Sequence, residues 1–232
     1  MHKTNFEVLQ NYLESQIIGQ KELVKQLMIA LLADGHILVE GPPGLAKTRA
    51  VKSLADCIEG DFHRIQFTPD LLPADLTGTD IFRPETGEFT FQSGPIFNSL
   101  ILADEINRAP AKTQAALFEV MEERQITMDG TTYELAPPFI VMATQNPVEQ
   151  EGTYRLPEAQ LDRFLFKIEV NYPSMEEEQK ILADFHAMGN RIDLEKIGRV
   201  VTAKELADYR AKVAQVHIDD KLLNYIASIV MN

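Results

Sequence analysis

The stretch that decides the fold is Gly41-Pro42-Pro43-Gly44-Leu45-Ala46-Lys47-Thr48, which lies between the apolar run 36–40 and a helical pattern that starts near Lys47. A glycine-rich turn between a buried strand and a helix points successive backbone N–H groups at a phosphate, at the positive end of the helix. Lys47 would add a point charge for the β- and γ-phosphates, and Thr48 a hydroxyl for Mg²⁺. The stretch therefore predicts a phosphate-binding loop.

The residue before the lysine departs from the usual form of this motif, because it is Ala46 rather than glycine. A Cβ lies where the usual loop has none, so the backbone dihedral angles at Ala46 test the prediction. The alternative interpretation of the stretch is a Pro/Gly turn that only connects a strand to a helix. The rest of the chain decides between the two.

Composition is that of an ordinary soluble globular protein, with 45% hydrophobic and 25% charged residues. No apolar run approaches the roughly 18 residues of a membrane span, and the first residues lack the features of a secretory signal, so we expect a cytoplasmic protein with no membrane insertion. The single cysteine, Cys57, is expected to be a buried structural thiol. The net charge of −13 and the lack of a basic stripe argue against nucleic acid as a partner.

The segments around the loop predict an α/β fold. Two helical patterns, 6–17 and 23–31, precede the first strand. After the loop, a helical pattern over 47–58 and an alternating strand over 62–67 complete a βαβ unit. Between the first two helices, the stretch 17–20 is either a plain interhelical turn or a place for a flat ring.

Two later strands end in polar side chains that suit catalysis. The apolar run 99–105 ends in Asp104 and Glu105, and the next apolar run ends in Asn146. In parallel sheets these ends share an edge with the phosphate loop, where Asp104 could hold Mg²⁺ through its water shell and Glu105 could deprotonate an attacking water. Asn146 could fix that water. The alternatives are a helix cap for the two acids and a turn before proline for Asn146.

The remaining segments predict two inserted hairpins and a helical C-terminal region. The long connection 68–94 contains an alternating arm, and 125–135 alternates around Asp-Gly, a strong hairpin signal. Arg163 precedes the last strand, where it either pairs with Asp162 or reaches a phosphate in an adjacent subunit. We expect two domains, 1–173 and 174–232, and the second has helical patterns over 175–188, 203–215 and 220–230.

Beyond the loop, four connecting stretches carry a family resemblance: 67–78, 104–110, 143–147 and 156–164. Together they resemble the MoxR family of AAA+ ATPases, in which an alanine at the position of Ala46 is usual. The resemblance implies a P-loop NTPase core, with a five-stranded parallel sheet flanked by helices and followed by a helical lid. It also implies a ring of identical chains, usually a hexamer, with ATP between subunits.

The resemblance assigns a role to each candidate site residue, with ATP or ADP and Mg²⁺ as cofactors. Asp104 and Thr48 stand on the metal side, and Glu105 is the base. Asn146 is the sensor of the γ-phosphate, and Arg163 is the arginine finger given to a neighbouring subunit. The nucleotide-binding set that it implies is Ile18, Gly19, Gly41, Pro42, Pro43, Gly44, Leu45, Ala46, Lys47, Thr48 and Arg49.

The function that the resemblance implies is ATP-driven, chaperone-like remodelling of partner proteins, often alongside a von Willebrand factor A domain protein. The hairpin regions match family insertions that face the pore and move with the nucleotide state. The family's lid carries a second sensor arginine in a Ser-Pro-Arg stretch that does not occur before Asn232, so we expect a truncated lid. The alternatives are a nucleotide-dependent binding module with negligible hydrolysis and a nucleic-acid motor, against which the missing basic runs argue.

Overall fold

Five parallel strands form the central sheet of the structure, a computed structural model that describes residues 4–17, 19–42, 47–128, 130–146, 154–188 and 198–231. The predicted α/β fold is confirmed, and so is the five-stranded parallel sheet that the family resemblance implies. The three middle strands are buried along almost their whole length because both faces are covered, so each is an unbroken apolar run. Across the sheet, the strands are β2 (Phe62–Gln66), β5 (Leu100–Asp104), β8 (Ile140–Gln145), β1 (His36–Glu40) and β9 (Phe164–Glu169).

Helices cover both faces of the sheet and bury two separate hydrophobic cores. In chain order they are α1 (Asn5–Gln16), α2 (Lys21–Ala33), α3 (Lys47–Cys57), α4 (Pro73–Thr77), α5 (Ala111–Glu123), α6 (Glu158–Leu161), α7 (Met175–Met188), α8 (Ala203–Ala214) and α9 (Asp220–Val230). Because successive side chains of a strand point to opposite faces, Ile37 and Val39 pack with α1, α2 and α3, whereas Leu38 packs on the side of α5. None of the helices in the described ranges is long and apolar enough to cross a membrane.

Both expected hairpins are present as separate two-stranded antiparallel sheets. They are β3 (Gly78–Arg83) with β4 (Glu88–Ser93), and β6 (Gln125–Met128) with β7 (Thr131–Glu134). Asp129, in the turn of the second hairpin, lies outside the described residues. The ring of Phe91 stacks on the ring of Tyr133 with 4.3 Å between centroids, so the two hairpins contact each other.

The helical patterns predicted after residue 173 are present as α7, α8 and α9. The start of α8 is attached to the hydrophobic core on the side of α1, α2 and α3. Val201 and Leu206 belong to this core, and Val201 forms a parallel bridge with Ile58. By contrast, α9 leaves apolar side chains such as Leu222 and Ile226 exposed. The division of the chain into two domains at residue 173 stays a prediction.

Ion pairs at Asp34 join the ends of α2 and α5 to the side of α8. Asp34 follows α2, and its carboxylate lies 2.9 Å from Nη1 of Arg124, at the end of α5. It also lies 2.7 Å from Nη1 of Arg210 in α8. The Nε of Arg210 donates a hydrogen bond of 3.0 Å to the carbonyl of Leu31. Through these contacts α8 is fixed to both α2 and α5.

Cys57 ends α3 and is a buried thiol, as the sequence predicts. Its side chain is 1% exposed and belongs to the hydrophobic core on the side of α1, α2 and α3. Burial, with a smaller contribution from the charge of Asp56, raises the pKa of the thiol to about 12. Because the thiolate is the reactive form, this cysteine is inert at neutral pH.

His36, the first residue of β1, is a buried polar group that is held neutral. Its side chain is 6% exposed, and Nδ1 accepts a hydrogen bond of 3.0 Å from the N–H of Val141. Its Nε2 lies 3.3 Å from the carbonyl oxygen of Met121, to which it donates in this tautomer. Burial lowers the pKa of His36 from 6.5 to about 4. The imidazole therefore ties α5 to the sheet in its uncharged form.

We predict that this histidine makes the protein less stable as the pH falls. The unfolded chain takes up a proton near pH 6.5 and the folded chain only near about 4, so the free energy of unfolding decreases between those values, by up to about 1.4 kcal/mol per pH unit. Urea unfolding from about pH 7 to about pH 5 measures this slope. His36→Gln should flatten the slope, whereas His63→Gln, at an exposed site, should keep it. Equal slopes in both variants would contradict the assignment.

Candidate functional site

The carboxyl ends of the five parallel strands lie at one edge of the sheet, and this edge gathers the predicted site residues. Glu40 of β1 pairs with Gln145 of β8, and Ala103 of β5 pairs with Ala143 of β8, so the three strands end nearly level. The phosphate-loop stretch follows β1, the two acids end β5, and Asn146 follows β8. The expectation that these segments share an edge is confirmed by the sheet order.

The first part of the phosphate-loop stretch comes too close to the sheet to carry a side chain. The N–H of Gly41 donates a hydrogen bond of 3.4 Å to the carbonyl of Gln145. A Cβ added to Gly41 would lie 2.6 Å from the carbonyl oxygen of Val170, which is too close for any side chain. Ile18 and the loop residues Pro43, Gly44, Leu45 and Ala46 lie outside the described residues, so their placement stays a prediction.

Lys47 begins α3 and lies within electrostatic reach of both acids. Its Nζ donates a hydrogen bond of 2.7 Å to the carbonyl of Gly41. Burial lowers the pKa of Lys47, and the charges of Asp104 and Glu105 partly offset this by raising it. The charges of both acids therefore reach the lysine at the carboxyl edge, as the phosphate-loop interpretation requires.

Thr144 of β8 positions both acids. Its hydroxyl donates a hydrogen bond of 2.5 Å to Oδ1 of Asp104 and accepts one of 2.9 Å from the N–H of Glu105. The side chain of Thr144 is 1% exposed, so these bonds are shielded from water. A single buried hydroxyl thus fixes the carboxylate of one acid and the backbone of the other.

Glu105 leaves the strand rather than ending it. The sequence predicted that the strand would include Glu105, but β5 ends at Asp104 and Glu105 has a left-handed backbone, with φ 56° and ψ 49°. This conformation costs energy for a residue with a side chain and is frequent at functional sites. The carboxylate accepts hydrogen bonds of 2.9 Å from Nε2 of Gln66 and from Nη1 of Arg108. The predicted base is therefore held in one orientation.

Asp104 is also held from the other side of β5. Arg64 of β2 approaches Oδ2 of Asp104 with Nη2 at 2.5 Å and Nε at 3.1 Å. The Nη2 of Arg64 also donates a hydrogen bond of 2.9 Å to Oε1 of Gln66. Because β2 and β5 are neighbours in the sheet and Gln66 pairs with Asp104, the side chains of Arg64 and Gln66 come from the strand next to Asp104.

Sequence analysis missed the partners of the two acids, which are Arg64, Gln66, Arg108 and Thr144. The available signal was the alternation of β2, whose polar side chains at 64 and 66 lie on one face of a strand next to β5. That signal required the strand order, because β2 and β5 are separated by more than thirty residues in the sequence. Thr144 follows an apolar run, and the sequence there gives no signal that its hydroxyl holds the two acids.

Two other predicted site residues, Arg49 and Gly19, lie in α3 and between α1 and α2. Arg49, in the first turn of α3, places Nη2 3.5 Å from Oε1 of Gln16. Gly19 has a positive φ of 79°, and a Cβ added there would lie 3.1 Å from the carboxyl carbon of Glu177. Gly19 thus lies against the side chain of Glu177 in α7, and the proposed role of this stretch towards a ring stays a prediction.

Asn146 and Arg163 lie at opposite edges of the sheet. Asn146 follows β8 at the carboxyl edge and is 8% exposed. Arg163 precedes β9, whose first residue pairs with His36, the first residue of β1, so Arg163 lies at the amino edge. Its guanidinium forms an ion pair with Glu122 of α5. Within one chain, the length of a six-residue strand, about 20 Å, separates Arg163 from the phosphate loop.

The side chains at the carboxyl edge fit a phosphate-bound Mg²⁺. Mg²⁺ prefers oxygen ligands and is usually held by one or two carboxylates together with substrate phosphates. Asp104 offers a carboxylate that is 13% exposed, and Thr48 offers a hydroxyl in the first turn of α3. The amine of Lys47 supplies a positive charge beside them.

Taken together, these elements define an α/β protein with a parallel five-stranded sheet and a cluster of charged and polar side chains at its carboxyl edge. Residues 36–166 match the model of the family described as the ATPase family associated with various cellular activities (AAA). The chain belongs to this family, as a MoxR-type member, which confirms the resemblance seen in the sequence. Membership of an ATPase family implies nucleotide binding.

Two relatives cover most of the chain. The chain is 49% identical over 214 residues to the uncharacterised protein YeaC of Bacillus subtilis and 47% identical over 214 residues to the chaperone MoxR1 of Mycobacterium tuberculosis. Each alignment covers 92% of the chain, but only 66% of YeaC and 55% of MoxR1, so the chain spans less than two thirds of either relative.

A solved structure shares the fold. The crystal structure of a candidate ATPase from Cytophaga hutchinsonii is similar to this chain with a TM-score of 0.86 and 45% sequence identity. The superposition covers 98% of this chain and 68% of that protein. The fold of the helical C-terminal region is therefore included in the match.

We predict that Thr144→Val destabilises the protein by about 1–3 kcal/mol, because it leaves the N–H of Glu105 without its acceptor in a buried place. Urea unfolding measures the loss. Thr144→Ser keeps the hydroxyl and should lose less, and Thr79→Val, at an exposed site on β3, should lose little. A Thr144→Val protein as stable as the parent would show that the hydroxyl does not hold the two acids.

Proposed function

We propose that the chain binds ATP with Mg²⁺ at the carboxyl edge of the sheet and hydrolyses it. The observation that carries the proposal is that Lys47, Asp104 and Glu105 all lie at the carboxyl ends of adjacent parallel strands, close enough for the charges of the acids to act on the lysine. A capping role for the acids would not need a half-buried lysine beside them. Family membership supports the same nucleotide.

Each residue at this edge has a task in phosphoryl transfer, which depends on positioning and charge more than on covalent chemistry. Lys47 neutralises charge on the β- and γ-phosphates, and Asp104 with Thr48 orients the metal side of the nucleotide. Glu105 takes the proton of the attacking water, which lies between it and Asn146. Bound Mg²⁺ supplies charge neutralisation at the phosphate oxygens.

The orientation of Glu105 suits this task. A general base must lie within hydrogen-bond reach of the proton it removes and must point in one direction. Gln66 and Arg108 both hold Oε2 of Glu105, and the left-handed backbone turns the residue away from the strand. These contacts direct the carboxylate before any substrate arrives.

The same proposal includes a ring of identical chains, a hexamer in the simplest case. Arg163 supports it, because its place at the amino edge keeps it far from the phosphate loop of its own chain. A heterologous interface between chains would bring the amino edge of one subunit to the carboxyl edge of the next. There Arg163 would exchange Glu122 for a phosphate and stabilise the charge of the transition state.

The work done by hydrolysis is, in this proposal, the remodelling or assembly of partner proteins, with a von Willebrand factor A domain protein as one candidate. A relative is a chaperone, MoxR1. The two hairpins are suitable moving parts, because they project as separate sheets and contact each other through Phe91 and Tyr133. The hairpin formed by β3 and β4 also exposes Phe82 and Phe89, which offers an apolar surface to a client.

We predict that Glu105→Gln binds ATP as the parent does but hydrolyses it at least about a hundredfold more slowly, because the amide cannot accept the proton. Phosphate release measures turnover, and equilibrium titration with a fluorescent ATP analogue measures binding. Glu88→Gln, at an exposed position of β4, is the matched control and should leave both unchanged. Unchanged turnover in Glu105→Gln would remove Glu105 from the mechanism.

Lys47→Met completes the experiment, because it should lose nucleotide affinity itself. If the parent binds the nucleotide but releases no phosphate at any protein concentration, the chain is a binding module and not an enzyme. If the parent does not bind the nucleotide at all, the whole proposal fails.

We predict that Arg163 acts in trans. Arg163→Ala and Glu105→Gln should each be inactive alone, because an arginine finger contributes roughly a thousandfold or more to turnover. An equal mixture should recover roughly a quarter of the parent activity, since random assembly of a head-to-tail ring pairs an intact site with an intact arginine at about that frequency. The double variant mixed with Arg163→Ala should recover nothing. A mixture of the two single variants that stays inactive would contradict the shared site.

A further inference from the structure

The carboxylate that is proposed to face the metal already carries a cation. Arg64 contacts Oδ2 of Asp104 through both Nε and Nη2, at 3.1 and 2.5 Å. The other oxygen, Oδ1, accepts the hydrogen bond of Thr144. Two N–H groups therefore occupy the two lone pairs of Oδ2, and the buried hydroxyl occupies one on Oδ1. This carboxylate is close to its full complement of donors.

Mg²⁺ or its bound waters would use lone pairs of the same carboxylate, most of which already accept hydrogen bonds. The ion demands nearly ideal octahedral geometry and binds through oxygen lone pairs or through waters that donate to them. A guanidinium and a hydrated Mg²⁺ cannot both use the lone pairs of Oδ2, so the binding of one is at the expense of the other. Thr144 does not compete, because it sits on Oδ1 and is fixed within the sheet.

Arg64 is half exposed, whereas Asp104 is mostly buried. The side chain of Arg64 is 49% exposed and that of Asp104 only 13% exposed. Arg64 extends from the edge strand β2, with solvent on one side, and its long stem can swing away at little steric cost. A half-exposed ion pair is weak, since water screens it and holding the side chain costs entropy. The contact is therefore strong enough to compete with the metal and weak enough to release.

Release of Arg64 from Asp104 would also change the hydrogen bonding of Glu105. Nη2 of Arg64 donates to Oε1 of Gln66, and Nε2 of Gln66 donates to Oε2 of Glu105. The two acids are thus connected through two residues of the same face of β2. When Arg64 leaves Asp104, Gln66 loses the donor that orients its amide, and one of the two hydrogen bonds on Glu105 is freed to change.

We propose that Arg64 is a positioning residue that acts as an internal counter-cation of Asp104 and sets the Mg²⁺ concentration at which nucleotide binds tightly. The proposal rests on the proposed function, because it concerns the same nucleotide site. Arg64 would leave Oδ2 when a metal is bound, and its contact with Gln66 would connect this change to Glu105. Arg64 itself takes no part in the transfer of the phosphoryl group.

The test is a titration of the full chain with Mg²⁺ in the presence of a fluorescent, non-hydrolysable ATP analogue. Arg64→Met keeps the apolar stem and removes the charge, so the half-saturating Mg²⁺ concentration should fall roughly two- to fivefold. Affinity for the analogue in excess EDTA should not change. Arg64→Lys keeps a charge without the two-point contact and should lie between the parent and Arg64→Met.

Arg83→Met, at an exposed position of β3, is the matched control and should titrate as the parent does. An unchanged or higher half-saturating Mg²⁺ concentration in both Arg64 variants would overturn the inference. So would a loss of affinity in EDTA, since it would mean that Arg64 binds the phosphates directly. If the parent fails to bind the analogue with or without Mg²⁺, the proposed function fails first, and the two failures are thereby distinguished.

Discussion

The common direction of the five strands is the constraint on which the rest of the structure depends. Parallel strands bring every carboxyl end to one edge, so segments that are distant in the sequence supply side chains to one crevice. The level register of β1, β5 and β8 then sets the distances at that edge. Thr144 fixes the two acids relative to β8, because its one hydroxyl holds the carboxylate of Asp104 and the backbone of Glu105.

Charge balance at this edge is local and does not follow the net charge of the chain. The protein carries −13 overall, yet its two adjacent acids are compensated by Arg64 and Arg108, with Lys47 close by. Burial works against the charge of the lysine, and the acids work for it. An anionic ligand would therefore meet positive groups on a protein that repels anions at long range.

The outer parts of the molecule are tied to the sheet by few but definite contacts. The hairpins meet through stacked rings, and α8 is joined to α2 and α5 by the ion pairs of Asp34. The buried, neutral His36 joins α5 to the central strands. Of these contacts, those of His36 reach the central strands that end at the candidate site.

The sequence by itself determined most of the elements and indicated the candidate site residues, because apolar periodicity, turn residues and the phosphate-loop stretch are local signals. It predicted both hairpins and placed Lys47, Asp104 and Glu105 at a common edge. Only the tertiary structure decided which side chains hold the acids, since Arg64 and Asp104 are 40 residues apart and meet through the pairing of β2 with β5. It also decided that Glu105 leaves the strand and that Arg163 lies at the opposite edge, because strand register and backbone twist are set by packing across the whole sheet.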